Sequence, residues 1–406
     1  MQVTPTAVDQ LPKYRTTLSC FLEDPSGGIV DDTVITRVGE QSYYFVTNAA
    51  RRDFDLDFLR DQMTRFREKH GIKDENDLDW MVLDKHSLLA LQGPKAASVL
   101  QSLIFKDVED SELDIDLSTL HFSHARYLQL HLPKPDINTP SLLICRTGYT
   151  GEDGFEISIP PTSRQRGNSG SNSTELATQI AEAFLADPST VRLAGLAARD
   201  SLRLEAGMCL YGRDIDLTTT PPEAGLGWVV SRERRSPPSL LTTTTDTNFN
   251  GSSKILSQLA DPKTMSRRRV AMIIEKGAPP REGAPIFAID ENENGSTDSK
   301  NNDNNNNMAK TEEPKQGKEK EEEEEEEEER EEVMIGTVTS GLPSPSLNGT
   351  NIAMGLVKNG YHKKGTKLGV RVRKNIRQAE VVKLPFVANR FFRGAVVDGG
   401  REGVNE

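Results

Sequence analysis

The stretch Leu193-Ala-Gly-Leu-Ala-Ala-Arg-Asp-Ser-Leu-Arg-Leu-Glu-Ala-Gly207, continuing through Leu210-Tyr-Gly-Arg-Asp-Ile-Asp216 to Trp228, organises the chain. Its small and apolar residues recur at three and four, and Gly207 is a stop, so its first part is predicted to be a helix. Arg199 and Arg203 stand four apart and share one face. A helix otherwise built of Ala and Leu is expected to be buried, and a buried Arg needs a partner. Two readings stay open here: a structural ion pair, such as Arg203 with Asp200, or a planar guanidinium held ready for a polar ligand.

Working outward, composition narrows the function. The 406 residues suggest two or three domains. Between Glu291 and Glu332 lie 18 acidic and 6 basic residues, which accounts for the whole formal charge of −12 and leaves the remainder neutral. No basic stripe marks a nucleic-acid surface. No apolar run reaches membrane-spanning length, and Met1 opens no recognisable signal or transit peptide. Cys20, Cys145 and Cys209 are unclustered, and the six His are scattered, so no metal site is expected and the thiols suggest a reducing compartment.

Strands are predicted over 15–22 and 29–36, separated by Asp24-Pro-Ser-Gly-Gly28. In the second, Asp31 and Asp32 interrupt apolar faces on both sides, which is costly unless they are partnered; either one lies at a wet end or caps a turn, or Asp32, flanked on its face by Val30 and Val34, has a function. Tyr43 to Thr47 closes a meander ending at Asn48, and Phe54, Phe58, Leu59, Met63 and Phe66 mark an amphipathic helix reaching His70. Short strands are read at 80–84 and 87–91, then a helix after Gln92-Gly-Pro94. The 142–146 strand leads into Thr147-Gly-Tyr-Thr-Gly-Glu-Asp-Gly154. This G-x-x-G-x-x-G spacing is not the dinucleotide fingerprint, and a strand rather than a helix follows it. On that strand Phe155, Ile157 and Ile159 share one face and Glu156 and Ser158 the other. The loop fits either a plain hairpin or close approach of a ligand. Residues 162–173 read as a loop, and Leu176, Ile180 and Phe184 mark a helix for which Asn172 and Glu175 form a capping box.

The organisation expected is a first region over 1–235, a linker over 236–264, a small all-β domain over 265–393 with a disordered acidic insert at 291–332, and a frayed tail over 394–406. Alternating strands, helices and hairpins make the class α+β rather than doubly wound.

Several of these stretches carry a resemblance. Gly27-Gly-Ile-Val-Asp-Asp32, Arg146 to Ile157, Gly195 to Gly207, Leu210 to Asp216, Ile335-Gly-Thr-Val-Thr-Ser-Gly341, Pro343-Ser-Pro-Ser346 and Asn351-Ile-Ala-Met-Gly355 resemble the aminomethyltransferase, or T-protein, family of the glycine cleavage system. The likeness covers most of 15–392. It implies ferredoxin-like α+β units around a folate pocket plus a small C-terminal β-barrel-like domain. It also implies transfer of an aminomethyl carbon from the lipoyl arm of the H-protein to tetrahydrofolate with release of ammonia, in the mitochondrial matrix, with lipoate carried by the partner. By the same resemblance Asp32 is the catalytic carboxylate. Asn48, Tyr149, Glu156 and Arg199 are the folate-binding residues, Glu156 receiving the N–H groups of the pterin.

Two departures accompany it. Family members carry roughly 70 further residues ahead of the position of Asp32, far beyond a loop-length difference. These are expected to supply core strands and one pocket wall, as if this chain were a fragment or a shortened gene model. The family also ends in Pro-Phe-Val-Pro and a Tyr pair, where this chain has Pro385-Phe-Val-Ala and Phe391-Phe392. Competing expectations are a catalytically inactive fragment and a folate-binding protein of iron–sulfur cluster assembly. The latter resembles a Lys-Gly-Cys-Tyr-x-Gly-Gln-Glu pattern that Glu205-Ala-Gly-Met-Cys-Leu-Tyr211 lacks. A folate-linked flavin dehydrogenase would need the dinucleotide fingerprint that is missing.

Overall fold

The computed structural model describes residues 2–74, 78–105, 115–161, 173–235, 249–289 and 333–394. Strands β1 (Thr16–Leu22), β2 (Ile29–Arg37) and β3 (Tyr43–Val46) form an antiparallel meander, followed by helix α1 (Arg52–His70). The turn between β1 and β2 is Gly-rich for a steric reason: a Cβ on Gly28 would lie 1.7 Å from the Leu217 carbonyl oxygen. The Ile29 N–H beside it donates to Asp216 O and Thr219 O. The loop after the central helix is thereby fastened to the start of β2.

A second unit follows: β4 (Ser87–Gln92), α2 (Ala96–Leu103), β5 (Ala125–Leu128), the short hairpin β6 (His131–Leu132) and β7 (Ile137–Asn138), β8 (Leu142–Cys145), β9 (Gly154–Ile159) and α3 (Ser173–Phe184). Its sheet order is β4-β9-β8-β5, antiparallel throughout. Alternation along β9 sends Phe155, Ile157 and Ile159 into one core with Leu100 of α2 and Leu176, Ile180 and Phe184 of α3. Both helices therefore cover one face, the layering of the expected ferredoxin-like unit. One detail of order differs: a ferredoxin-like sheet would set its first strand between the third and fourth, whereas here the fourth, β9, lies between the first and third. The opposite face carries Glu156 and Ser158 and meets the first sheet, where Leu143 and Cys145 pack with Val38 and Tyr44.

Helix α4 (Leu196–Glu205) leads through residues 210–235 to α5 (Ser252–Ala260), and then to the six strands β10 (Arg267–Ile274), β11 (Pro285–Ala288), β12 (Met334–Ser344), β13 (Thr350–Lys358), β14 (Lys367–Val372) and β15 (Asn375–Val382). These close into a barrel, β10-β13-β12-β11-β14-β15, with β15 pairing back onto β10. Its interior is filled by Val270, Met272, Ile286, Val338, Ala353, Leu368, Val370 and Val381 among others. After the barrel the chain returns across the second unit: the Arg390 N–H donates to Gly151 O, and Phe391 stacks on Phe122 at 4.1 Å between centroids.

Four expectations need correction. Residues 80–84 form no strand, and Met81 is 77% exposed, so the apolar run there meets no sheet edge. Within the expected linker, 236–248 lie outside the described residues, but α5 is a packed helix whose Ile255 is buried beside Leu22 and Ile29, with Leu256 and Leu259 against the same core. The apolar positions of α1 are only partly covered, and the residue it buries is Asp55. Helix α4 is buried only in its C-terminal half, where it meets the barrel; Leu193 and Leu196 are 85% and 83% exposed. The acidic insert, the 162–172 loop with Asn172, and residues 395–406 fall outside the described residues.

Candidate active site

Arg203 and Arg199, one turn apart on α4, divide the two readings offered by the sequence. Arg203 is 1% exposed and structural. Its Nε donates to Asp200 at 2.8 Å, its Nη1 to Asp214 at 2.6 Å and its Nη2 to Ser340 Oγ at 2.9 Å. Asp214 also accepts from Thr339 Oγ1 at 2.5 Å, and the buried Glu205 accepts from Ser344 Oγ at 2.5 Å and Ser346 Oγ at 2.7 Å. Each buried charge is thus satisfied by the barrel's β12 and the turn after it, which fixes α4 between barrel and cleft. Arg199 instead faces outward, its guanidinium 4.6 Å from the centre of the Tyr149 ring.

On the first sheet, the two carboxylates of β2 are joined by one amide. Asn48 donates from Nδ2 to Asp31 Oδ1 at 2.9 Å and to Asp32 Oδ1 at 2.8 Å, and its backbone N–H donates to Asp31 Oδ2 at 2.9 Å. Asp31 is fully buried; it is the turn-capping carboxylate that the sequence left as one alternative. Asp32 is on the other face and partly open. Burial, and then the Asp31 charge, push its carboxyl up to about 6, while the Asn48 hydrogen bond and the Arg199 charge pull it down. It is therefore ionised at neutral pH, yet poorly solvated.

The second unit supplies the loop 147–154. Arg146 grips Asp153 with two hydrogen bonds, of 2.8 and 2.6 Å, and donates to Leu117 O and Leu120 O, closing the hairpin from beneath. Gln92 crosses it, donating to Thr147 O and Phe155 O at 3.1 Å each. This explains the glycines: a Cβ on Gly148 would lie 1.8 Å from Gln92 Oε1. The close approach made possible here is that of a side chain of the same protein. The loop carries Tyr149, whose hydroxyl donates to Cys209 O and whose own ionisation is opposed first by burial and then, among other charges, by that of Asp32. Thr147 donates to Glu156 Oε2 at 2.7 Å, holding that carboxylate on the cleft face of β9 near Tyr44.

Asp32 and Asn48 are in direct contact; Tyr149 and Arg199 are stacked together within reach of the Asp32 charge; Glu156 is joined to this group through the Thr147–Tyr149 loop. Phe391 and Phe392, where a Tyr pair was expected, lie against Phe122 and over Arg146, the latter ring 4.1 Å from the guanidinium. Sequence reasoning missed Asp214, whose partner Arg203 it did flag, and Asp55, buried beside Asp31. Among the described residues no group of His, Cys, Asp and Glu is arranged to hold a metal, and no helix is long and apolar enough to cross a membrane.

Comparison with known proteins agrees with this architecture. Residues 1–234 match the GCVT N-terminal domain, and residues 313–388 the glycine cleavage T-protein C-terminal barrel domain. The chain is 38% identical over 396 residues to the mitochondrial aminomethyltransferase of Saccharomyces cerevisiae, covering 97% of this chain and 79% of the relative. It is 38% identical over 378 residues to that of Pisum sativum, covering 93% and 71%. The crystal structure of glycine cleavage system aminomethyltransferase T from Bartonella henselae superposes with a TM-score of 0.66 at 30% identity, covering 96% of this chain and 81% of that one. On matched domains, identity and shared fold together, the chain belongs to the glycine cleavage T-protein family, the tetrahydrofolate-dependent aminomethyltransferases.

Proposed function

We propose that the chain takes an aminomethyl group from the lipoyl arm of the glycine cleavage H-protein, passes its carbon to tetrahydrofolate and releases ammonia, with Asp32 as the group on which turnover depends. The matrix is the proposed compartment, in line with relatives named as mitochondrial. In the reaction the carbon loses its bonds to sulfur and to the leaving nitrogen and gains two bonds to folate nitrogens. The two protons of the folate amines end on ammonia and on the lipoyl thiol, so no oxidant is consumed. Tetrahydrofolate supplies the two amines that accept the carbon; the chain supplies position and charge.

The observation that carries this reading is the Asp32 carboxylate, half-buried and anchored by Asn48 beside the Tyr149–Arg199 pair. A fixed negative charge at such a place stabilises positive charge developing as ammonia leaves, without solvent reorganisation. Glu156 suits a pterin: Thr147 takes Oε2 and leaves the other oxygen for ring and amino N–H donors. Asn48 fixes the direction of Asp32, and Arg199 and Tyr149 form the stacked wall of the folate site. Single-turnover transfer from aminomethyl-loaded H-protein tests the reading. Ammonia release that requires tetrahydrofolate is the expected result; release independent of folate, or none, would overturn it.

A further inference from the structure

A second buried acid near the site is one the proposed chemistry does not use. Asp55, on the first turn of α1, is 2% exposed, and it is the residue that this helix buries. No N–H or O–H donor engages either of its carboxylate oxygens in regular hydrogen-bond geometry; what its carboxyl faces is the Asp31 carboxylate, with the Thr47 hydroxyl also beside it. The nearby cation, Arg51, makes no hydrogen bond to Asp55, and its own Nε is buried without a partner. It stacks on Phe54 at 3.9 Å and Tyr211 at 4.9 Å and donates to Val30 O. Two carboxylates facing one another inside a protein repel unless one proton is shared between them. Both oxygens of Asp31 already accept hydrogen bonds from Asn48, whereas neither oxygen of Asp55 has a donor.

We propose that Asp55 is a positioning residue of the active site: a neutral carboxylic acid that donates its proton to Asp31, so that Asp31 holds Asn48 and Asn48 in turn holds the Asp32 carboxylate. The chain of contacts runs from α1 to Asp31 on β2, on to Asn48 two residues past the end of β3, and back to Asp32 on β2. The links from Asn48 are donors meeting acceptors as they stand; the first link, Asp55 to Asp31, becomes one only if Asp55 is protonated. Burial, followed by the hydrogen bond to Asp31 and the Asp31 charge, raises its pKa, with Arg51 and Thr47 opposing. The other titratable groups facing this cluster are Asp32 from β2, and Tyr211 and Asp216 from the loop after α4. The role assigned to Asp55 rests on the aminomethyltransferase reading, but the protonation state does not.

Two variants and one spectrum separate the outcomes. Asp55→Asn keeps a donor toward Asp31; turnover within about threefold of the unsubstituted enzyme and an unmoved acid limb in kcat/KM are expected. Asp55→Ala removes the donor and leaves Asp31 without it; kcat should fall about 30-fold or more while folate affinity changes little. Infrared difference spectra of the unliganded enzyme at neutral pH should show a protonated-carboxyl C=O band that Asp55→Asn abolishes. If Asp55→Ala does not fold, Asp55→Asn and the spectrum decide. An Asn variant with kcat reduced as far as expected for Ala, an Ala variant with full turnover, or a spectrum without that band would overturn the proposal. Failure of the unsubstituted enzyme to transfer the aminomethyl group would instead overturn the functional reading and leave the infrared result standing.

Discussion

Asp32 shows how a site residue is held at a cost. Its folded pKa of about 6 lies above the ordinary carboxyl value of 3.8, so the folded state binds more protons between those two values. Stability from this group therefore falls as pH rises through that window and is level above it. Asp32→Asn should accordingly raise stability at about pH 7.5, by about 1–3 kcal/mol, and by nothing below about pH 4. Denaturant melts of both proteins at the two pH values check this; a loss of stability at the higher pH would contradict it. Asp32 was legible in the sequence because a carboxylate among valines on a strand is conspicuous. Asp55 was not, because Asp53, Asp55 and Asp57 follow one another on α1 and nothing in their spacing says which is buried. Burial of an acid in a helix with a half-exposed apolar side is decided by the strand it meets, which periodicity along the helix does not contain.

Among the elements, the 147–154 loop and α4 carry the site, and each has a testable lock. Gly148→Ala drives a methyl group into Gln92 and should cost about 1–3 kcal/mol. In a Gln92→Ala background the same change should cost clearly less, because the two residues share one space. Additive losses in that double-mutant cycle would mean that the glycine serves something other than Gln92. At the barrel seam, Arg203→Met strands the buried Asp214 and should cost about 3–5 kcal/mol in thermal or denaturant unfolding. A loss below about 1 kcal/mol would show that Asp214 finds its partners without Arg203. The six barrel strands were legible as short apolar runs, and closure explains why none needs a protected edge. The spurious strand at 80–84 and the helix hidden in the expected linker have one cause. A short apolar run does not reveal whether a partner edge exists, and a Ser/Thr/Pro-rich approach hides the three-and-four spacing of Ile255, Leu256 and Leu259 that begins just after it.

At the scale of the whole molecule, the proposed site draws on both units: Asp32 and Asn48 come from the first, Tyr149 and Glu156 from the second, and α4 meets the barrel. The acidic stretch 291–332 stands between β11 and β12, which pair as neighbours, with the Ala288 N–H donating to Val333 O at 3.2 Å just outside it. Deleting it and closing the hairpin with a short turn should move the melting temperature by less than about 5 °C; a larger drop would show that it packs. The division of labour between the units is the central claim. In the proposed mechanism Glu156 grips a part of folate that is alike before and during reaction, whereas Asp32 stands where charge changes. The most direct test combines tetrahydrofolate calorimetry with single-turnover transfer from loaded H-protein for Glu156→Gln and Asp32→Asn. Glu156→Gln should weaken folate binding by about 2 kcal/mol and turn over nearly normally once saturated. Asp32→Asn should bind folate with a smaller loss and slow transfer by about 10²-fold or more. Normal transfer by Asp32→Asn at saturating folate would contradict the account, leaving Asp32 as a binding residue alone.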